Sequence, residues 1–188
     1  MNKLESLALK RLNSYQYARE THEIVKYSPE HYDSNGHYKK DEWSNFSDIG
    51  RVFNHKRFTF EQYLIVEDQY IHVVEDIIKA SCITFLTVAY IERGERVFLE
   101  NISKEMEEIA RDVRVGKRLN ICQSSLLLRA VLRGAVWCIL VNESKQFQIS
   151  IGYDFYMNIH SSLPRGSMLE IVQSHGLYLD PRSYLSQF

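Results

Sequence analysis

The stretch Phe147 to His160, FQISIGYDFYMNIH, constrains this chain more than any other. Its odd positions, Phe147 through Ile159, are all apolar or aromatic, and its even positions, Gln148 through His160, are polar or small. Alternation with period two held this long specifies β-structure with one face on a core and the other toward solvent. Fourteen residues at roughly 3.3 Å each would run about 46 Å, while a chain of this length folds to a radius of gyration of about 16 Å. The stretch must therefore bend or turn, and Gly152 is the place for it. A bulge or a three-residue loop through Asp154 keeps the odd–even parity, whereas a two-residue loop would reverse it. Asp154 then stands at the crest, and Asp154, Tyr156, Asn158 and His160 are the candidates on this segment for contact with a partner.

The strongest local signal begins at Thr59, which with Gln62 forms a capping box, flanked by Phe58 and Tyr63 as a hydrophobic staple. A helix over Phe60 to Lys79 follows, with Tyr63, Val66, Tyr70, Ile71, Val74, Ile77 and Ile78 along one stripe. Glu67 falls near the middle of that stripe, whereas Asp68 and Asp76 fall outside it. A carboxylate on a buried face needs hydrogen-bond partners or an opposite charge. Glu67 either ties a tyrosine or an arginine into the core or lies at the floor of a pocket as a ligand anchor.

Two dense apolar runs, Cys82 to Ile91 and Ala135 to Val141, read as buried strands, and Leu177 to Asp180 as a short last one before Pro181. Helices are expected from Ile102 to Val113, capped by Asn101, from Ser124 to Arg133, and from Pro164 to Gln173. Arg129 and Arg133 are expected on the solvated side of the second of these, and Arg111, Arg114, Lys117 and Arg118 on a solvated face. The first fifteen to twenty residues have helical spacing at Leu4, Leu7, Ala8, Leu12 and Tyr15. Tyr27 to Asn45 is rich in turn residues and reads as an irregular connection, with His22, His31 and His37 as solvated histidines. The expected fold is α+β in one domain, a mainly antiparallel sheet of four or five strands with helices packed on it. Residues 58–180 form its core, and 1–57 a helical and irregular N-terminal region.

With 188 residues and a net charge of −1, the chain lacks the basic footprint of a nucleic-acid binder. Its most apolar run is about a dozen residues, short of the roughly 20 that span a bilayer. The N-terminus has no signal-peptide pattern, and Cys82, Cys122 and Cys138 sit among apolar neighbours and read as buried reduced thiols, so a cytoplasmic location is expected. The glycines form no phosphate loop, Ser167 in RGSML lacks the second glycine of a nucleophile elbow, and no histidine pair has metal-ligand spacing. These patterns point to a binding protein rather than an enzyme, with no cofactor and no metal. Twelve tyrosines, among them Tyr27, Tyr32, Tyr38, Tyr156, Tyr178 and Tyr184, suit an interaction surface or the rim of a core.

Three segments, FEQYLIVEDQYI (60–71), LRGAVWCILV (132–141) and IGYDFYMNI (151–159) followed by HGLYLD (175–180), resemble immunity proteins of bacterial polymorphic-toxin and contact-dependent growth inhibition systems. The resemblance spans about residues 58–180, and the aromatic Gly-Tyr-Asp segment is its distinctive part. It implies a non-catalytic inhibitor, monomeric or weakly dimeric, that blocks a cognate toxin domain by non-covalent binding. A local acidic patch drawn from Glu67, Asp68, Glu92 and Asp154 would steer such a partner. The competing expectation is a small-molecule sensor domain with a pocket at Glu67.

Overall fold

The computed structural model of the protein describes residues 20–93 and 102–180. The expected N-terminal helix and the residues from Pro181 onward lie outside them, as does Asn101; the helix expected from Ile102 starts at Lys104 and is capped by Ser103, whose hydroxyl accepts from the Met106 amide. The capping box is present: Thr59 accepts from the Gln62 amide, and the Gln62 side chain accepts from the Thr59 amide. Helix α1 (Phe60–Ala80) follows and buries Tyr63, Glu67, Tyr70, Ile71, Val74, Ile77 and Ile78 on one side. It is closed at its C-terminus by Cys82, whose φ of 52° reverses the chain while Ile83 donates back to the Ile78 carbonyl. Residues 82–85 are thereby used in ending a helix, and the strand expected from Cys82 begins at Leu86.

Numbered in chain order, the strands are β1 (Glu20–Val25), β2 (Val52–Phe53), β3 (Lys56–Arg57), β4 (Leu86–Arg93), β5 (Arg118–Leu119), β6 (Val136–Asn142), β7 (Phe147–Ile151), β8 (Met157–Ser161) and β9 (Tyr178–Leu179). Helices α2 (Lys104–Asp112), α3 (Ile121–Leu132) and α4 (Arg165–Ser174) alternate with them. Strands β2 and β3 form a hairpin of their own, and the other seven form one sheet in the order β5-β4-β6-β7-β8-β1-β9. Each neighbouring pair is antiparallel. Helix α1 packs beside α3 and α4, and their buried side chains join those of the sheet in one core. The fold is α+β with helices on an antiparallel sheet.

The sheet is wider than periodicity alone picks out. Strand β1 is the largest addition, and it lies inside the sheet between β8 and β9. Its sequence ETHEIV has three polar residues besides Thr21, and its inward positions are His22 and Ile24; Val25 is buried at the opposite parity, so only one aliphatic residue marks the core side. His22 is therefore a fully buried strand residue, not a solvated loop histidine. His31 and His37 remain in the loop, the latter exposed.

Strands β7 and β8 are the two arms of the alternating stretch. Phe147, Ile149, Ile151, Phe155, Met157 and Ile159 are all buried, and the even positions are half-buried or exposed. Ile151 pairs with Met157, and the Gly152 amide donates to the Tyr156 carbonyl at 2.7 Å, which closes a three-residue turn centred on Asp154. An odd-length turn preserves parity, so both arms bury the same set of positions. Asp154 and Phe155 both adopt left-handed backbone, with φ of 56° and 62°. For a phenylalanine this costs about 1–2 kcal/mol, and the surroundings hold it. The Tyr70 hydroxyl donates to the Phe155 carbonyl at 2.6 Å, the Tyr27 hydroxyl to the Asp154 carbonyl at 2.9 Å, and the Trp137 indole N–H to the Ile151 carbonyl at 2.7 Å. Burial pushes the ionisation of both tyrosines well above the usual range, so each stays a donor at physiological pH.

Strand β4 carries an irregularity that changes which face its last residues take. Val88 faces Leu140 and Tyr90 faces Ile139, so Ala89 is an extra residue in a β-bulge. Without it, Glu92 would share the inward parity of Leu86 and Val88. With it, Ile91 turns to the core and Glu92 sits opposite Trp137, on the face away from the helices.

Candidate functional site: a cleft at one end of the sheet

The end of β4, the start of β6 and the β7–β8 turn lie at the same end of the sheet. Between them and the loop at 45–47 is a cleft of about 600 Å³. Its apolar walls come from Phe46, Val131, Leu132, Trp137, Ile151 and Phe155, and its charged lining residues are Glu92, Arg133 and Asp154. The loop wall is fixed locally. Asn45 caps a short turn at Phe46–Asp48, and the buried Asp48 carboxylate accepts from the Ser44 and Asn45 amides and from Arg51. Trp43 stacks on Phe58 at 4.4 Å and meets Phe155 edge-on at 5.2 Å, which ties this loop to the turn.

Behind the Arg133 wall is the carboxylate singled out on α1. Glu67 is fully buried. Arg133 donates to it twice, Nε to Oε2 and Nη2 to Oε1, both at 2.7 Å, and Arg129 Nη1 donates to Oε1 at 2.8 Å. Arg129 also reaches Asp68 at 2.6 Å, so two carboxylates and two guanidiniums form one neutral network between α1 and the C-terminus of α3. Burial alone would lower the pKa of both arginines; hydrogen bonds and charge from Glu67, with Asp68 for Arg129, outweigh it and raise them. The expectation of solvated arginines is therefore corrected: Arg133 is buried and Arg129 half-buried. Their spacing of four places both on the α3 side that meets α1, one turn apart. Glu67 ties arginines into the core and lies one residue behind the cleft wall rather than in it.

The other candidates divide between sites. Asp154 and Glu92, 62 positions apart by their numbering, both line the cleft and are exposed. Asp68 is committed to Arg129. Asn158 and His160 lie along β8, half-buried on the face away from the helices, with His160 Nδ1 3.0 Å from Thr21 Oγ1 and its pKa lowered by burial. Tyr156 packs against Tyr27, whose ring also meets Tyr38 edge-on at 5.0 Å. Of the two readings of the tyrosines, the rim of the core fits the described ones better: Tyr27 is buried and Tyr32, Tyr38, Tyr156 and Tyr178 are half-buried. Trp137 was not among the sequence candidates. The signal was its outward parity, with Val136, Cys138 and Leu140 inward on the same strand.

Among the described residues no group of three His, Cys, Asp or Glu side chains is placed to hold a metal ion, and no helix is long and apolar enough to cross a membrane. The reading of three buried thiols is corrected, because Cys82 and Cys122 lie at helix termini and are exposed. Cys138 is buried, and desolvation pushes its thiol up to about 12. A thiol-reactive chromophore should label two cysteines per native chain within minutes and the third only on unfolding. Three fast thiols, or one, would contradict this placement.

No protein-family model matches the chain, and no curated protein or solved structure matches it either.

Proposed function

We propose that this chain is an immunity protein that binds a cognate bacterial toxin domain through the cleft end of its sheet and neutralises it without catalysis. The observation that carries the reading is the joint placement of Asp154 and Glu92 on the rim of one aromatic-walled cleft beside the exposed Trp137. An exposed tryptophan is a residue type enriched at binding hot spots, and the acids beside it suit a partner of opposite charge. The β-bulge and the left-handed turn that present them are local departures from regular geometry, of the kind that clusters at functional sites. The resemblance of segments 60–71, 132–141 and 151–159 to immunity proteins supports the same reading.

The test is growth rescue. The open reading frame directly upstream of this gene is expected to encode a protein ending in a toxin domain, and co-expression of this chain should restore growth to cells making that domain. Failure to rescue despite good soluble expression would sink the reading. A small-molecule sensor is the second reading, favoured by a cleft volume in the range of ligand sites. It predicts a saturable thermal shift with a metabolite and no rescue.

A further inference from the structure

We propose that the cleft receives an arginine or lysine side chain of the partner protein, its aliphatic stem against Phe46, Trp137 and Phe155 and its cationic head between Glu92 and Asp154. This rests on the partner-binding reading of the same cleft and specifies what the partner must present.

Charge at the cleft is decided by which groups are already matched. Arg133 is a wall residue, but Glu67 holds its guanidinium in a two-pronged pair, and the four-residue network it belongs to sums to zero. Glu92 and Asp154 form no ion pair among the described residues. The cleft thus presents two carboxylates outside any ion pair above an apolar floor; the Lys26 ammonium acts on Asp154 from a distance but is itself paired with Glu42. An incoming carboxylate or phosphate would meet like charge. An uncharged apolar group would strip water from both acids without replacing it. A cation on an apolar stem satisfies both the floor and the rim. Trp137 adds a specific attraction: it is 37% exposed and cross-strand from Glu92, so an indole face and a carboxylate stand side by side.

The protein uses the same chemistry inside itself. The Lys26 ammonium lies 4.3 Å from the centre of the Tyr27 ring and 4.4 Å from that of Trp43, with Glu42 at 3.1 Å. Burial lowers the pKa of Lys26 while Glu42 opposes the shift. Two aromatic faces and one carboxylate there hold a nearly buried ammonium. The cleft offers the same components, with two carboxylates and an open entrance.

Three probes with the same six-carbon stem and different head groups test this on the intact protein: n-hexylguanidinium, n-heptanoate and n-hexanol. Hexylguanidinium is expected to bind saturably, quench tryptophan emission and raise the melting temperature. Glu92→Gln and Asp154→Asn should each weaken it about tenfold, and the other two probes should bind at least tenfold more weakly. Equal binding of all three, or a preference for heptanoate, would overturn the assignment. Growth rescue separates the two layers. If wild type rescues and the Glu92→Gln/Asp154→Asn double variant rescues equally at low expression, the inference fails while the immunity reading stands. If hexylguanidinium binds selectively but wild type does not rescue, the ligand is a free amphiphilic cation and the protein-partner assignment falls with that reading.

Discussion

Glu67→Ala is expected to destabilise the protein by about 3–5 kcal/mol, because it leaves the Arg133 guanidinium buried without its counter-charge and Arg129 with only Asp68. At about 2–4 °C per kcal/mol for a domain of this size, the melting midpoint should fall by roughly 6–20 °C. The loss should persist at high salt, since a fully buried carboxylate is poorly screened. Replacing Glu67, Arg129 and Arg133 together with apolar residues of similar volume should recover most of it, as removing a whole buried ion network often costs little. Denaturant melts of the two variants check both halves. A single variant within about 1 kcal/mol of wild type would show that the network carries no such dependence.

The second large effect is expected at the hairpin turn. Phe155 is buried against Trp43, Tyr63 and Tyr70, so Phe155→Ala should cost about 3–5 kcal/mol through the cavity it leaves. Its φ of 62° adds an unusual comparison. Glycine opens the same cavity but adopts left-handed backbone without a Cβ penalty, so Phe155→Gly should be more stable than Phe155→Ala by about 1 kcal/mol. In a strand the order would be the reverse, as glycine is there the more costly residue. Equilibrium urea melts of the pair decide it, and alanine ranking above glycine would mean the turn relaxes to regular backbone when the ring is gone.

What the sequence shows of this fold depends on whether the determining force is local. Thr59 and Gln62 are three residues apart and satisfy each other, so their cap is legible as text. The parity of 147–160 forces an odd turn, and Asp154 at its crest follows from counting. Strand β1 was not legible, because ETHEIV turns only a histidine and one isoleucine to the core side, with Val25 buried at the opposite parity, and its pairing partners lie near the other end of the chain. Glu67 was legible as a buried carboxylate but not its partners: Arg129 and Arg133 look solvated until α3 is placed against α1. The cleft was half legible. Asp154 and Glu92 were each singled out, but their meeting depends on the bulge at Ala89, and a strand without that extra residue would turn Glu92 inward.

The place of β1 inside the sheet also bears on how the chain is made. Thr21 and His160, neighbours across β1 and β8, are 139 positions apart. Ribosomal synthesis at about 5–20 residues per second leaves roughly 7–28 s between them. Throughout that interval Ile24 and Val25 are already translated, while neither flanking strand of β1 yet exists. The unpaired segment presents free amides and carbonyls on both sides, a template for other chains. Its glutamates at positions 20 and 23 supply charge that discourages such pairing until β8 and β9 arrive. In the finished sheet an early-made strand therefore lies between two late-made ones.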